Sequence, residues 1–228
     1  MTVAVGVHTS VTGSASTAIT GAVTTQATGS SFVVFITGSN GAFTPAFTDS
    51  FSNSYGSAIA NVTDTAGAEQ IWAYLCTNGT GGSGHTVNLT NSVGTTFPGL
   101  YFAEVTAGAL SSLVDGTPGT ANITSGGVFT NQVTTTVAND LVFSFVETTA
   151  TSGNVWTPGS GLTTIEHQSG GPGACSALAW VLASTAGSYP ATTPTWTASG
   201  SPANGALITL ALKNAVASAN TATIAWAG

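Results

Sequence analysis

Apolar positions in this chain gather into short runs separated by glycine, serine, threonine and asparagine. The strongest run lies in residues 137–148, Val-Ala-Asn-Asp-Leu-Val-Phe-Ser-Phe-Val-Glu-Thr. Asn139 and Asp140 have side chains that bond nearby backbone, so they mark a turn or strand entry. Leu141, Val142, Phe143, Phe145 and Val146 follow, broken only by Ser144 and ended by Glu147. A run this short, bounded by turn chemistry and rich in branched and aromatic residues, predicts a buried central strand and not a helix. Ser31-Phe32-Val33-Val34-Phe35-Ile36 and Ala177-Leu178-Ala179-Trp180-Val181-Leu182 show the same pattern.

Weaker strands surround these three. Val3, Val5 and Val7 alternate with small or polar residues, which predicts an edge strand. Residues 22–28, 69–77, 85–90, 99–106, 128–137, 162–168, 194–198 and 205–213 read as further strands. Between two of them, Gly79-Thr80-Gly81-Gly82-Ser83-Gly84 predicts a hairpin. Residues 42–63 and 107–127 read as loops. In the first, Phe43, Phe47, Phe51 and Tyr55 recur every four residues. Pro45, Gly56 and the intervening serines oppose a helix there, so the rings are expected as plugs beneath a long loop. The sum is an all-β fold over residues 1–213, a two-sheet β-sandwich with jelly-roll-like spacing, about ten strands and no major helix. No repeat with a period of about 20–50 residues is visible. Residues 214–228 follow as an arm or added strand. Ile224 and Trp226 would share one of its faces and are candidate inter-subunit contacts at a neighbour's sheet edge.

Charge changes this picture more than any motif does. Charged residues make up 4% of the chain, against about 25% in ordinary domains. Lys213 is the one basic residue among 228, against eight acids, for a net charge of −7. Nucleic-acid binding, which needs lysine and arginine against phosphate, is excluded as an expectation. Mixed surface charge can contribute little solubility, so a surface covered by neighbours is expected. No apolar stretch reaches the roughly 18 residues of a membrane helix, so membrane insertion is not expected. Met1-Thr2-Val3-Ala4 has no basic stretch leading into an apolar one, so no export leader is expected. A hydroxyl-rich exterior without a leader suggests a virus particle released by lysis. Cys76 and Cys175, both in apolar runs without C-x-x-C spacing, read as free buried thiols.

Several segments in succession carry a resemblance: Phe32-Val33-Val34-Phe35, Gly82-Ser83-Gly84-His85-Thr86-Val87, Leu100-Tyr101-Phe102-Ala103-Glu104-Val105, Asn139-Asp140-Leu141-Val142 and the late Ala-Leu-Ala-Trp strand. Together, over roughly residues 20–213, they resemble jelly-roll β-sandwich domains of phage virion-associated and bacterial surface-exposed structural proteins. The resemblance implies a structural or adhesive protein at a virion surface, such as a capsid decoration protein, head fibre or tail component. Its partners would be copies of itself, other virion proteins and host-surface glycans. The alternative is a secreted, extracellular carbohydrate-binding module. The resemblance brings no catalytic residues.

The chemistry in the residues is sparse. Gly79–Gly84 matches G-x-G-x-x-G, but phosphate binding needs a helix after the loop, and a strand pattern follows. His8, His85 and His167 have no zinc spacing. No G-x-S-x-G elbow occurs. Among the acids Asp49, Asp64, Glu69, Glu104, Asp115, Asp140, Glu147 and Glu166 there is no calcium-loop pattern. Glu104 and Glu147 are expected as edge or rim charges. No catalytic, cofactor or metal residues are therefore expected, and an enzyme is not. The remaining leads are Trp156, Trp196 and Tyr189, aromatics in Gly/Pro/Ser/Thr loops. They are candidate glycan-stacking rings, with sandwich-end plugs as the other reading. Trp72 and Trp180 read as core.

Overall fold

A computed structural model of the chain describes residues 3–13, 17–39, 43–64, 69–91, 96–106, 113–123, 126–149, 155–171, 174–191, 195–200 and 204–214. Among the described residues there are twenty strands and no helix. The first half contains β1 (Ala4–Thr12), β2 (Ala18–Ile19), β3 (Val23–Thr24), β4 (Ser30–Ser39), β5 (Ala46–Asp49), β6 (Ala60–Thr63), β7 (Glu69–Gly79), β8 (Ser83–His85), β9 (Val87–Asn91) and β10 (Thr96–Thr106). The second contains β11 (Val114–Ile123), β12 (Val128–Phe129), β13 (Val133–Thr135), β14 (Asp140–Thr149), β15 (Trp156–Pro158), β16 (Thr163–Gly171), β17 (Ala174–Ala183), β18 (Gly187–Tyr189), β19 (Trp196–Ala198) and β20 (Gly205–Leu212).

The two halves have one topology. The large sheet of the first is β1-β10-β4-β7-β6, and that of the second is β11-β20-β14-β17-β16. Short covering sheets β2-β9-β5 and β3-β8 recur as β12-β19-β15 and β13-β18. Each strand of the first half thus has a counterpart ten places later. Strand registers align the residues: Val33, Phe35 and Thr37 on β4 correspond to Phe143, Phe145 and Glu147 on β14. Tyr101, Ala103 and Val105 on β10 correspond to Ile208, Leu210 and Leu212 on β20. A small polar clasp is also duplicated. Gly82 N–H donates to Thr25 Oγ1 at 3.0 Å, and Gly187 N–H donates to Thr135 Oγ1 at 3.1 Å. Each hydroxyl donates back to the same glycine's carbonyl, at 3.5 and 3.2 Å. The two glycines have nearly the same φ, 157° and 153°.

The halves pack large sheet on large sheet. β1 lies on β16 and β11 on β6; β10 lies on β17 and β20 on β7. Such reciprocal pairs define an isologous, two-fold contact, here within one chain. Phe35 and Phe145, which are equivalent residues, stack across it with ring centroids 5.0 Å apart and planes 17° apart, as equivalents near a dyad can. Val33, Phe35, Tyr101, Ala103, Leu141, Phe143, Leu178 and Leu210 belong to this central core. On its far side the first large sheet buries Phe32, Val34, Ile36, Tyr74 and Phe102 under the covering strands, with Val87 and Leu89. The second buries Val146, Cys175, Ala177, Ala179 and Leu207 under Phe129, Trp156 and Trp196. Both faces of the central strands of each large sheet are therefore dry, while the edge strands stay partly exposed. This explains why β4, β14 and β17 read as unbroken apolar runs when a half-solvated antiparallel strand would alternate.

The fold class expected from the sequence holds, with an all-β, sandwich-like arrangement and more strands than expected. Three local expectations need correction. Residues 42–63 are not all loop, since Ala46–Asp49 form β5 on β9 and Ala60–Thr63 form β6 on β7. The glycine run 79–84 is not a hairpin: β7 pairs with β4 and β6, whereas β8 pairs with β3. The run carries the chain out of the large sheet onto its cover. Gly81 is needed because a Cβ there would sit 2.2 Å from Thr25 Oγ1. Residues 107–127 are not all loop, since Val114–Ile123 form β11 on β20. Its Gly116, Pro118 and Gly119 oppose a central strand, but an edge strand tolerates proline and bulges, and the register shifts between Asp115 and Gly119.

Candidate functional site

The aromatics that read as glycan-stacking rings or as sandwich-end plugs are interior, in keeping with the second reading. Trp196 is fully buried at the centre of its covering sheet, and its Nε1 donates to Ser144 Oγ at 2.9 Å. Trp156 stands edge-on to Phe129 (5.1 Å) and to Trp196 (6.3 Å). Tyr189 is buried on β18 against Val142, Ala183 and Ala211, and its hydroxyl accepts from Thr185 N at 3.2 Å. These rings seal the outer face of the second large sheet and offer no open stacking platform. Trp72 and Trp180 are half-buried against the cores, and Phe43 and Tyr55 plug the first cover. Ile224 and Trp226 lie outside the described residues, as does the side chain of His167.

The charges are interior as well. Asp49, Asp64, Glu69, Glu104, Asp115, Asp140 and Glu147 are all buried, and the eighth acid, Glu166, has 17% of its side chain exposed. Glu104 and Glu147, expected at an edge or rim, are not there. Glu104 accepts from Ser30 Oγ (2.6 Å) and Gln26 N (2.8 Å), and so ties the segment before β4 to β10. Asp115 accepts from Thr136 Oγ1 at 2.6 Å and lies 3.9 Å from Lys213 Nζ. Burial and the neighbouring Asp115 push Asp140 up to about 6, while its Oδ1 accepts from Asn214 N at 2.8 Å.

Two histidines have acid partners. Under the first cover, fully buried His85 places Nε2 2.8 Å from Asp49 Oδ2 and Nδ1 2.9 Å from Thr25 Oγ1. Burial alone would raise Asp49, but hydrogen bonds from His85, Asn53 Nδ2 and Phe51 N outweigh it and hold the carboxyl at about 2. An ionised Asp49 accepts, so Nε2 carries a proton. Tyr55 also donates to Asp49, at 3.0 Å. The order hydroxyl, imidazole, carboxylate is that of a hydrolase triad. Here the rings of Phe32, Phe51 and Phe102 close around His85, and Thr25 is engaged with Gly82, so no substrate carbonyl can reach the hydroxyl. The network anchors the 49–55 turn. At the other histidine, half-exposed His8 on β1 places Nδ1 2.5 Å from Glu166 Oε1 on β16, and Ser10 Oγ donates to Glu166 Oε2 at 2.5 Å. This clasp joins the two halves at one edge of the sandwich.

Cys76 and Cys175 are free and buried on the outward faces of different large sheets. Among the described residues no group of three or more His, Cys, Asp and Glu side chains could hold a metal ion. A shallow groove of about 330 Å³ opens over the first cover, lined by Phe47, Asn53, Ser54, Tyr55 and Tyr74. The chain matches no protein-family model, no curated protein and no solved structure.

Sequence reasoning missed the buried acid networks, because a lone Asp or Glu between turn residues looks the same whether it caps a turn inside or faces water. One signal was present for Asp49: Ser50, Phe51 and Asn53 follow it, as in an Asx-type turn, and Phe51 N does donate back to it at 2.7 Å. The duplication left a faint trace in the similar apolar runs of β4 and β14. Its period of about 105–110 residues lies far outside the solenoid range.

Proposed function

We propose that this chain is a structural surface protein of a virus particle, of the decoration, head-fibre or tail-associated kind, that works by packing against copies of itself. The observation that carries the reading is the location of charge. The acids are turned inward, Lys213 has 38% of its side chain exposed, and the exterior is left to threonine, serine, asparagine and glycine. Such a surface has little charge to keep molecules apart or to steer ions toward them. It suits a protein whose faces are covered by neutral, hydroxyl-bearing neighbours. The path of each half supports the same reading. Its strands alternate between a large sheet and a cover, as in a jelly roll, and differ in that β6 and β16 join the large sheets.

The test is the oligomeric state of the full chain beside a chain ending at Lys213, by analytical ultracentrifugation at low and high salt. The reading expects oligomers that persist in high salt, because few ion pairs can hold them, and weaker assembly without residues 214–228. A monomer at every concentration in both chains contradicts it. A carbohydrate-binding role is favoured by one feature, the Phe47–Tyr55–Tyr74 groove. Glycan retention lost in Phe47→Ala but kept in Trp156→Ala would support that role.

A further inference from the structure

We propose that Glu69 and Glu147 form a latch between the two halves of the chain, closed by a proton held at the pair and released when the pair ionises under alkaline conditions. Glu69 opens β7 in the first large sheet, and Glu147 lies near the end of β14 in the second, so the pair spans the central interface. Both side chains are buried, Glu147 completely. No fully formed hydrogen bond reaches either Glu147 oxygen or Glu69 Oε2, although the two carboxyls lie close enough to share a proton and the Thr37 hydroxyl approaches Glu147. A buried carboxylate with no more than one hydroxyl nearby and other acids facing it is too costly to stay ionised, whereas the neutral acid is tolerated.

Among the described residues the surroundings supply no cation. On its own sheet Glu147 pairs with Ser176 of β17 and Ala206 of β20. Facing it from the other half are Thr37 of β4, Glu69 of β7, and Asp64 just after β6. The phenol of Tyr101 on β10, bonded to Ser176, also feels Glu147 and, from β16, Glu166. Lys213 stands past the opposite end of β14, beside Asp115. Burial first, then the facing acids, push Glu69 up to about 8 and Glu147 well above the usual carboxylate range. The duplication isolates the device, because the register equivalent of Glu147 is Thr37 and that of Glu69 is Ala174. The latch therefore exists at one end of the dyad and not at the other.

The sign follows from linkage. Both acids bind protons more tightly folded than unfolded, so stability falls as pH rises from the ordinary glutamate range toward about 8. Above about pH 7, where Asp140 is largely ionised, the pair should dominate the slope. The melting temperature of the full chain is expected to drop by roughly 3–5 °C per pH unit between pH 6 and 8. Glu69→Gln and Glu147→Gln should each flatten that slope. A flat wild-type profile, or an unchanged slope in both variants, overturns the proposal. Should the variants fail to fold, infrared spectra of the wild-type protein decide. The carbonyl band of a buried protonated carboxyl must be present at pH 7 and decline on the alkaline side, and its absence at pH 7 overturns the latch.

Discussion

The two covering layers solve one structural problem with different chemistry. Each must seal the outer face of a five-stranded sheet, and each does so with the same short strands and the same Thr–Gly clasp. The second cover fills its space with rings: Trp196, Trp156 and Phe129 over one part of the sheet, and Tyr189 over the rest. The first cover places the Asp49–His85–Thr25 network there, with Asn53 and Tyr55 attached. By strand pairing, His85 opposite Val23 occupies the place of Tyr189 opposite Val133. Topology is therefore indifferent to whether the seal is aromatic or ionic, but the response to perturbation is not. The first cover should respond to pH and the second to loss of volume.

The largest effect is expected from Trp196→Ala. It removes the centre of the second cover and leaves Ser144 without its indole donor, at a cost of about 3–5 kcal/mol and roughly 10 °C in melting temperature. Thermal denaturation checks the size. Hydrogen exchange should place the loosening on β12, β15 and β19, and equal loosening of the first cover would break the distinction.

Next comes Asp49→Asn, expected to cost roughly 3 kcal/mol at neutral pH, since it removes the buried carboxylate that accepts from His85, Asn53 and Tyr55. The wild-type Asp49 carboxyl sits at about 2 instead of 3.8. Its folded pKa is lowered, so its contribution is present above about pH 4 and is lost as pH falls toward 2, an amount of roughly 2 kcal/mol. Acid titration of both proteins should show that limb shortened in the variant. An identical acid limb would mean that Asp49 does not hold the cover. The smallest effects sharpen the comparison. Thr135→Val should cost about 1 kcal/mol, and Thr25→Val somewhat more, because Thr25 also serves His85. A larger loss at Thr135 would deny the equivalence of the clasps.

Much of the fold was legible for a physical reason. Residues 31–36, 141–146 and 177–179 are buried on both faces, with Trp180, Val181 and Leu182 partly buried after them, and a strand of that kind advertises itself as a short unbroken apolar run. Edge and cover strands were less legible. The two residues of β2 or β12 cannot show a period, and β11 hides behind Gly116 and Pro118. The aromatics divided by context. Trp180 read as core from its strand and is partly buried, whereas Trp156 and Trp196 sit among glycine, proline and threonine, where stacking ring and sandwich-end plug could not be told apart until the covering sheet was assembled around them. The acids were least legible, because what makes Glu147 unusual is Glu69, which lies in the other half of the chain.

The central claim is that two like units share one core across an internal dyad, each with its own cover. Amide hydrogen exchange on the full chain measures this strand by strand. The account predicts matched slow exchange in β4 and β14, β7 and β17, and β10 and β20, with faster exchange in both covers. Protection confined to one half, with its counterpart strands exchanging together as a separate, weaker block, would contradict it.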